Sequence, residues 1–343
     1  MTVKITIIGM GQIGASIGLA LGTRKDLFTR MGHDKSSQIA NRAKALGAVD
    51  KVDFNLPNSV DGAAIIILAI PQDQIHDTLG YIAEDIQEDA VIMDTSPVKG
   101  EVFQWIKEKL PPKRHYIGLT PVLNPTYLET SGFGVETAHE DLFKNGLMAI
   151  YLPPGLPPEA IKLATDFTQL LGAEHMFIDP IELDGLIVGT HILPQLIAAA
   201  LLNSTVDQPG WQDARKLTGR PYAFATEAIA MTGEVSSLTS MAISNQENLL
   251  RKIGELIENL ELIRQQLAAG EAEKLAENLE SARLRREKWL KERTSANWAA
   301  NETASSVALP TSKQVFSQMF TFGGFRKPKP PNKNPEPNKK NQA

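Results

Sequence analysis

The chain has 343 residues, of which 42% are apolar and 22% are charged, and its net charge is −5 at pH 7. This length allows two domains, each with its own core, and the composition is that of an ordinary soluble globular protein. The acidic balance predicts no nucleic-acid surface. The absence of cysteine excludes disulfides, thiolate metal sites and cysteine nucleophiles. With no signal-peptide pattern and no apolar run judged long enough for a bilayer, we expect a cytoplasmic protein without membrane contact.

The first predicted elements are a strand, a glycine-rich turn and a helix. An apolar run predicts a buried strand over residues 5–9, and residues 14–21 continue as an apolar helix. The turn between them reads Gly-x-Gly-x-x-Gly, which permits a tight turn, close approach of a pyrophosphate and close helix–strand packing. Free N–H groups at the start of the helix attract the diphosphate. This context predicts dinucleotide binding at Gly9, Met10, Gly11, Gln12, Ile13 and Gly14.

An acidic residue follows the second predicted strand, which spans residues 29–33. Asp34 lies about 20 residues beyond the last glycine of the turn, the spacing of an acid that binds the adenosine ribose hydroxyls. A carboxylate at this position repels a 2′-phosphate, so it favours NAD over NADP. Lys35, Ser36 and Arg42 are close enough in sequence to reduce that preference. NAD is therefore the expected cofactor, and NADP stays open.

Strands and helices continue to alternate as far as residue 178. The apolar run at 63–70 is typical of a parallel strand covered on both faces. Further strands are predicted at 90–93, 115–119 and 146–152, and further helices at 37–46, 74–82 and 159–172. This alternation predicts a doubly wound, mostly parallel (Rossmann) α/β domain over residues 1–178.

The character of the chain changes after a proline-rich segment at 153–158. Helices are predicted at 181–203, 222–231, 236–268 and 271–293. The first of them is too apolar to be covered on one face only, which favours a partner subunit. We therefore expect an all-α domain over residues 179–295 that contributes to the substrate site and to a homodimer. The remaining residues, 296–343, end in a basic, proline-rich, low-complexity stretch and are predicted to be disordered.

Three segments follow predicted strands and could carry chemistry, because ligands of an open α/β sheet bind at the carboxyl ends of its strands. Residues 68–72, Leu-Ala-Ile-Pro-Gln, turn the chain beside the expected cofactor. Residues 93–100 combine a hydroxyl and an ammonium group, which suits a carboxylate ligand. Residues 118–125 form the third segment. The first segment adds three candidate cofactor-binding residues: Ala69, Ile70 and Pro71.

In this order, the segments resemble the prephenate and arogenate dehydrogenase family of tyrosine biosynthesis. The similarity extends from Val3 to about Arg293 and includes residues 131–134, residues 141–146 and the Leu-Pro pair at 193–194. In that family NAD(P) takes a hydride from C4 of a cyclohexadienyl ring while a ring carboxylate leaves as CO2. The resemblance implies the same reaction here, with a small-molecule carboxylate as substrate. No metal site is predicted, since no cluster of histidines and carboxylates has ligand spacing.

The resemblance also implies roles for polar side chains of the predicted site. Ser96 would bond to the C4 hydroxyl or the nicotinamide, and Lys99 would hold a carboxylate. Arg215 or Arg220 would bind a substrate carboxylate bidentately. The spacing around these two arginines is one residue off the family pattern, so the choice stays open with a slight preference for Arg220.

Two positions depart from the family pattern. Thr120 stands where the family has a histidine, and threonine cannot take a proton near neutral pH. Gln195 stands where the family often has another histidine, and His191, four residues earlier, is expected on the same helix face as a substitute or as an ordinary core residue. A general base is worth about 10²- to 10⁴-fold in rate.

The departures leave three functions open. The first is a prephenate or arogenate dehydrogenase driven mainly by substrate orientation and aromatisation. The second is a related dehydrogenase of another small hydroxy acid, whose substrate pocket is reshaped by Thr120, Leu123 and Gln195. The third is a non-catalytic dinucleotide-binding homologue. Cofactor binding without turnover would favour the third.

Overall fold

The computed structural model describes residues 2–130, 132–231, 233–296 and 298. The predicted low-complexity tail lies outside these residues, apart from 296 and 298. The first part of the chain forms an eight-stranded sheet in the order β3-β2-β1-β4-β5-β6-β7-β8. Its strands are β1 (Val3–Ile8), β2 (Phe28–His33), β3 (Lys51–Val52), β4 (Ile65–Leu68), β5 (Val91–Asp94), β6 (His115–Val122), β7 (Leu147–Tyr151) and β8 (Glu174–Phe177).

Every neighbouring pair of strands is parallel except β6 and β7, which are antiparallel. The helices of this part are α1 (Gln12–Leu21), α2 (Ser37–Ala45), α3 (Leu56–Val60), α4 (Ile75–Ile82), α5 (Gly100–Lys109) and α6 (Pro158–Leu170). The strand order reverses beside β1, between β2 on one side and β4 on the other. A crevice for a ligand is expected at the carboxyl ends of these strands. The predicted doubly wound α/β fold is confirmed.

The central strands of the sheet were predicted from the sequence because they are buried and therefore largely apolar. All four residues of β4 and all four of β5 are buried, as their continuous apolar runs indicate. The elements that were not predicted carry weaker patterns. The edge strand β3 has two residues, and the edge strand β8 is largely exposed and partly polar. Helices α3 and α5 were missed as well. Strand β6 extends to Val122, so Thr120 lies within a strand and not after it.

A buried arginine ties the first two helices to β2. Arg30 is 1% exposed, and its Nη1 donates to the carbonyl oxygens of Gly18, Gly47 and Ala48 at 2.6–3.2 Å. Its Nη2 lies 2.6 Å from Asp50 Oδ1. Burial alone would raise the pKa of Asp50, but the hydrogen bonds from Arg30 outweigh it and the pKa is lowered below 3.8. These hydrogen bonds satisfy backbone carbonyl oxygens at and after the ends of the two helices.

The second part of the described chain is helical. It contains α7 (Pro180–Ile187), a π-helical turn (Val188–Ile192), α8 (Leu193–Thr205), α9 (Trp211–Leu217), α10 (Arg220–Ala230), α11 (Val235–Ser244), α12 (Gln246–Ala268) and α13 (Ala272–Ser295). The prediction of one continuous helix over 236–268 is wrong. Asn245 has non-helical dihedrals (φ −112°, ψ 26°), and its buried amide donates to Met241 O at 3.0 Å, which separates α11 from α12.

Helix α7, the π-helical turn and α8 form one run of 26 residues, Pro180–Thr205. By length and composition alone this run could cross a membrane, so the expectation that every apolar run is too short is corrected. An apolar helix in the core of a soluble protein meets the same criterion. Val188, Ile192 and Ala198 are buried, while Leu186 and Ile197 on the same run are exposed.

The helical part packs directly on the loop that follows β5. Val98 lies in a buried apolar cluster with side chains of the π-helical turn, α11 and α12. Asp184 on α7 accepts hydrogen bonds from the backbone N–H groups of Lys99 at 2.7 Å and Gly100 at 2.9 Å. These are free N–H groups at the start of α5, where a carboxylate is favoured. The helical part thereby fixes the end of a central strand.

Candidate active site at the carboxyl ends of the strands

The glycine-rich turn has the geometry of a dinucleotide cradle. Gly9 has φ +93°, and a Cβ there would lie 2.2 Å from Ala69 O. A Cβ on Gly14 would lie 1.9 Å from Gly9 O, so both positions exclude a side chain. In contrast, a Cβ on Gly11 would have no neighbouring atom within 4 Å. The chain is closely packed behind the turn and open in front of it, which fits a pyrophosphate at the start of α1.

The other predicted cofactor residues follow the ends of three adjacent strands. Asp34 comes directly after β2, and its two carboxylate oxygens accept from the N–H groups of Met10 and Ser36, each at 2.8 Å. Gln12 and Ile13 form the first turn of α1. The three residues after β4 complete the set: Ala69, Ile70 and Pro71. The ten predicted positions therefore lie together at the carboxyl ends of β2, β1 and β4.

The predicted hydroxyl lies at the end of β5, the next strand. Ser96 is 3% exposed, and its hydroxyl is hydrogen-bonded to the carboxylate of Asp94. The same Oγ lies 2.9 Å from Val98 O and 3.3 Å from Lys99 Nζ. The backbone N–H of Ser96 donates to Asp94 Oδ1 at 2.9 Å. Ser96 is thus held in one orientation by its own loop.

Lys99 lies inside this network. Its Nζ is 2.6 Å from Asp94 Oδ1 and 2.7 Å from Ser96 O, and both charged side chains are fully buried. Burial lowers the pKa of Lys99, while the Asp94 carboxylate acts in the opposite direction. Tyr116 on β6 donates to the other oxygen of Asp94, and burial beside that carboxylate raises the pKa of the phenol well above 10. The ammonium group therefore bonds within the protein, which accounts for its burial.

Thr120 is brought next to Ser96, as the predicted site requires. Its hydroxyl lies 3.0 Å from Ser96 O and 3.3 Å from Pro97 O, and the side chain is 5% exposed. Both of these acceptors are backbone carbonyl oxygens. Because the single hydroxyl proton is directed at the loop, Thr120 can offer a ligand only its acceptor lone pairs.

His191 and Gln195 lie on the same helical run but in different environments. Gln195 is buried, and its Nε2 donates to the backbone oxygen of His191 at 2.8 Å. His191 keeps solvent-exposed surface, yet desolvation by the surrounding protein lowers its pKa below 6.5. The π-helical turn adds a residue to one turn and so rotates the side chains that precede it. The structure thus places a buried glutamine four residues after an exposed histidine, and a role of His191 as a substitute stays a prediction.

Neither predicted substrate arginine is brought to Ser96 within one chain. Arg215 lies in the last turn of α9 and Arg220 in the first turn of α10, and both are exposed. Arg215 Nε donates to Gln212 O, and the backbone oxygen of Arg215 accepts from Thr218 Oγ1, so both bonds stay within its own helix and turn. The structure thus leaves the choice between the two arginines open.

Sequence reasoning missed two side chains that fix the site from the helical part. Asp184 caps the start of α5, and burial raises its pKa above 3.8 against the opposing backbone hydrogen bonds. Arg293 near the end of α13 is 7% exposed and bonds through Nη2 to Leu123 O, beyond Thr120. No local pattern marks either residue, since their partners are 85 and 170 residues away.

Known proteins share this architecture. A family model described as the nucleotide-binding domain of prephenate dehydrogenase matches residues 17–177. The cyclohexadienyl dehydrogenase of Zymomonas mobilis is 24% identical over 280 residues, covering 81% of this chain and 93% of the relative. The prephenate dehydrogenase of Bacillus subtilis is 24% identical over 285 residues, covering 81% of this chain and 74% of the relative.

Two solved structures show the same fold. Prephenate dehydrogenase from A. aeolicus, in complex with hydroxyphenyl propionate and NAD+, has a TM-score of 0.72 and 19% identity and covers 84% of this chain and 98% of its own. Synechocystis arogenate dehydrogenase has a TM-score of 0.65 and 22% identity, and the match covers 84% of this chain and 100% of that structure's chain.

The sheet, the cradle at its reversal point and the matching family model define a nucleotide-binding oxidoreductase. Within that class, residues 17–177 match the nucleotide-binding domain of prephenate dehydrogenase, and the chain is similar over most of its length to prephenate and cyclohexadienyl dehydrogenases. The resemblance predicted from its motifs is confirmed.

Proposed function

We propose that the protein catalyses the NAD-dependent oxidative decarboxylation of a cyclohexadienyl substrate, prephenate or arogenate, in tyrosine biosynthesis. The observation that carries this proposal is the buried Ser96 hydroxyl, fixed by Asp94 and Lys99 at the strand end next to the dinucleotide crevice. The names of the curated relatives support the same reaction class.

The chain's own residues supply orientation and hydrogen bonding. Ser96 directs its proton to Asp94 and accepts from Lys99, which leaves one Oγ lone pair to accept a hydrogen bond from the C4 hydroxyl of the substrate. A nicotinamide bound beside the ends of β1 and β4 would supply the acceptor for the C4 hydride. As the C4–H bond breaks, positive charge grows on the C4 hydroxyl, and the Ser96–Asp94 pair stabilises its proton.

The reaction balances without a net proton acceptor. The ring carboxylate leaves as CO2, and its bonding electrons return to the ring, which becomes a phenol. The C4 hydroxyl keeps a proton in the product. A missing histidine at Thr120 therefore removes rate assistance and not a stoichiometric requirement. We assign Thr120 to holding the Ser96 loop, Lys99 to fixing Ser96, and Arg220 or Arg215 to the substrate carboxylate.

The proposed assembly is a homodimer through the helical part. Large apolar side chains on α10 and α12 are exposed, among them Phe224, Leu250 and Ile257 at 58–70%. A second copy would cover them. The helical run Pro180–Thr205 is fixed to the α/β part through Asp184, which favours burial against protein over insertion in a bilayer. A cytoplasmic location is proposed with it.

The test is NADH formation, followed at 340 nm, with NAD and either prephenate or arogenate. We expect turnover by the wild-type protein and a fall of about 10²- to 10⁴-fold in Ser96→Ala. A parallel calorimetric titration with NAD should give similar affinities for both proteins. NAD binding without turnover of either compound would contradict the proposal and favour another hydroxy acid or a non-catalytic role.

A further inference from the structure

One carboxylate of the helical part reaches across the dinucleotide crevice. Glu234 Oε1 lies 2.6 Å from Lys35 Nζ, and its Oε2 accepts from Gln74 Nε2 at 2.7 Å. Lys35 follows the end of β2 directly after Asp34, and Gln74 follows β4. These strands lie on either side of β1. Glu234 therefore connects the segments after β2 and β4, although it is 199 residues from Lys35 and 160 residues from Gln74 in the chain.

Other contacts hold Glu234 at this position. It immediately precedes α11, and the preceding residue, Gly233, has φ +66°. Three residues after Glu234, the buried Ser237 hydroxyl accepts a hydrogen bond from Gln72 N at 3.2 Å. The start of α11 is thus fixed on the segment after β4. The packing of the helical part on the α/β part therefore places the carboxylate of Glu234 next to Lys35.

The ion pair between Lys35 and Glu234 sets the net charge beside the position expected for the adenosine ribose. Asp34 occupies the position of the acid that binds the ribose hydroxyls in dinucleotide-binding folds, and a cation beside that position accommodates a 2′-phosphate. Lys35 is the cation in that place, and Glu234 neutralises it. A second nearby cation, Arg42, is held bidentately by Glu136 at 2.7 and 2.8 Å. With Asp34 and Glu234 against Lys35, the local balance is two negative charges to one positive.

We propose that Glu234 is a specificity-determining residue, which selects NAD against dinucleotides with a 2′-phosphate by pairing with Lys35. The inference rests on the proposed function only in that the crevice binds a nicotinamide dinucleotide. Neutralising the carboxylate frees the ammonium group of Lys35 for a phosphate ester. It leaves the ribose acid Asp34 in place, so affinity for NAD changes little.

The experiment compares calorimetric titrations of the full-length protein with NAD and with NADP. In Glu234→Gln, which keeps an acceptor for Gln74, we expect the Kd for NADP to fall about 10-fold and the Kd for NAD to change less than about 3-fold. The double variant Lys35→Met/Glu234→Gln should lose this gain in NADP affinity. Glu88→Gln, which removes the same charge from the exposed pair with Lys113, is the control and should change neither Kd.

Two results would overturn the inference. A Glu234→Gln variant whose affinities for NAD and NADP change by the same factor would show that Glu234 only holds the two parts together. A gain in NADP affinity that survives in the double variant would show that Lys35 is not the phosphate partner. Binding of neither dinucleotide by the wild-type protein would instead contradict the proposed function itself.

Discussion

The α/β part and the helical part differ in how completely one chain covers their apolar surfaces. In β4 and β5 every residue is buried. In α12, 23 residues long, two residues are buried, and in α13, 24 residues long, one is. The first part closes its core within one chain, whereas the second leaves an apolar face open. Substitutions in the first should therefore change stability, and substitutions in the second should change assembly.

The largest effect is expected in the buried network at the end of β5. Asp94→Asn removes the charge that compensates Lys99, which is fully buried, and should lower the free energy of unfolding by about 3–5 kcal/mol. Denaturant titration measures this. Glu88→Gln breaks an exposed ion pair with Lys113 and should cost less than about 1 kcal/mol. A loss at Asp94 as small as that of the control would show that the network is not closed to water.

The next effect tests the open face of the helical part. Ile257→Glu places a charge on an exposed apolar position of α12 and should weaken self-association about 10²-fold, or about 2.7 kcal/mol, with the helical content of the monomer unchanged. Sedimentation velocity over a concentration series measures it. The neighbouring Glu258→Gln is the matched control. A wild-type protein that stays monomeric throughout would contradict the proposed homodimer.

The third prediction separates packing from cofactor binding within the cradle. Gly14→Ala puts a Cβ 1.9 Å from Gly9 O and should lower the free energy of unfolding by about 1–3 kcal/mol. Gly11→Ala puts a Cβ into open space and should cost about 0.5 kcal/mol, yet weaken NAD binding because the methyl group blocks the pyrophosphate. Thermal melts with and without NAD distinguish the two variants. Equal destabilisation would disprove the distinction.

The smallest effect is a pH dependence at the edge of the α/β part. Hydrogen bonds from Arg30 lower the pKa of Asp50 below 3.8, so the stabilisation is present above that pH and is lost as the pH falls through the folded-state pKa. Asp50→Asn should cost about 1–2 kcal/mol at pH 7. The difference from wild type should shrink below pH 3.8 in urea titrations. A difference that stays constant into acid would rule out the charge of Asp50 as its source.

Elements with a local signal were predictable from the sequence. The glycine-rich turn is a motif of consecutive residues, 9–14, so it can be recognised without knowing any distant contact. The central strands carry continuous apolar runs because both of their faces are covered. The break at Asn245 was not predictable, since an asparagine within an apolar helical pattern usually faces solvent. Here it is buried, and its amide bonds to the preceding turn.

The amino-acid sequence by itself determined the Rossmann sheet, the glycine-rich turn with Asp34 after the second strand, and the family resemblance, because each depends on residues close together in the chain. Tertiary structure decided the charge partners of Lys99 and Lys35. Lys99 looked available to a substrate carboxylate, but folding buries it against Asp94 under the helix that carries Asp184. Lys35 looked available to a 2′-phosphate, but folding brings Glu234 to it. The partner of a charge is set by packing, which sequence spacing does not reveal.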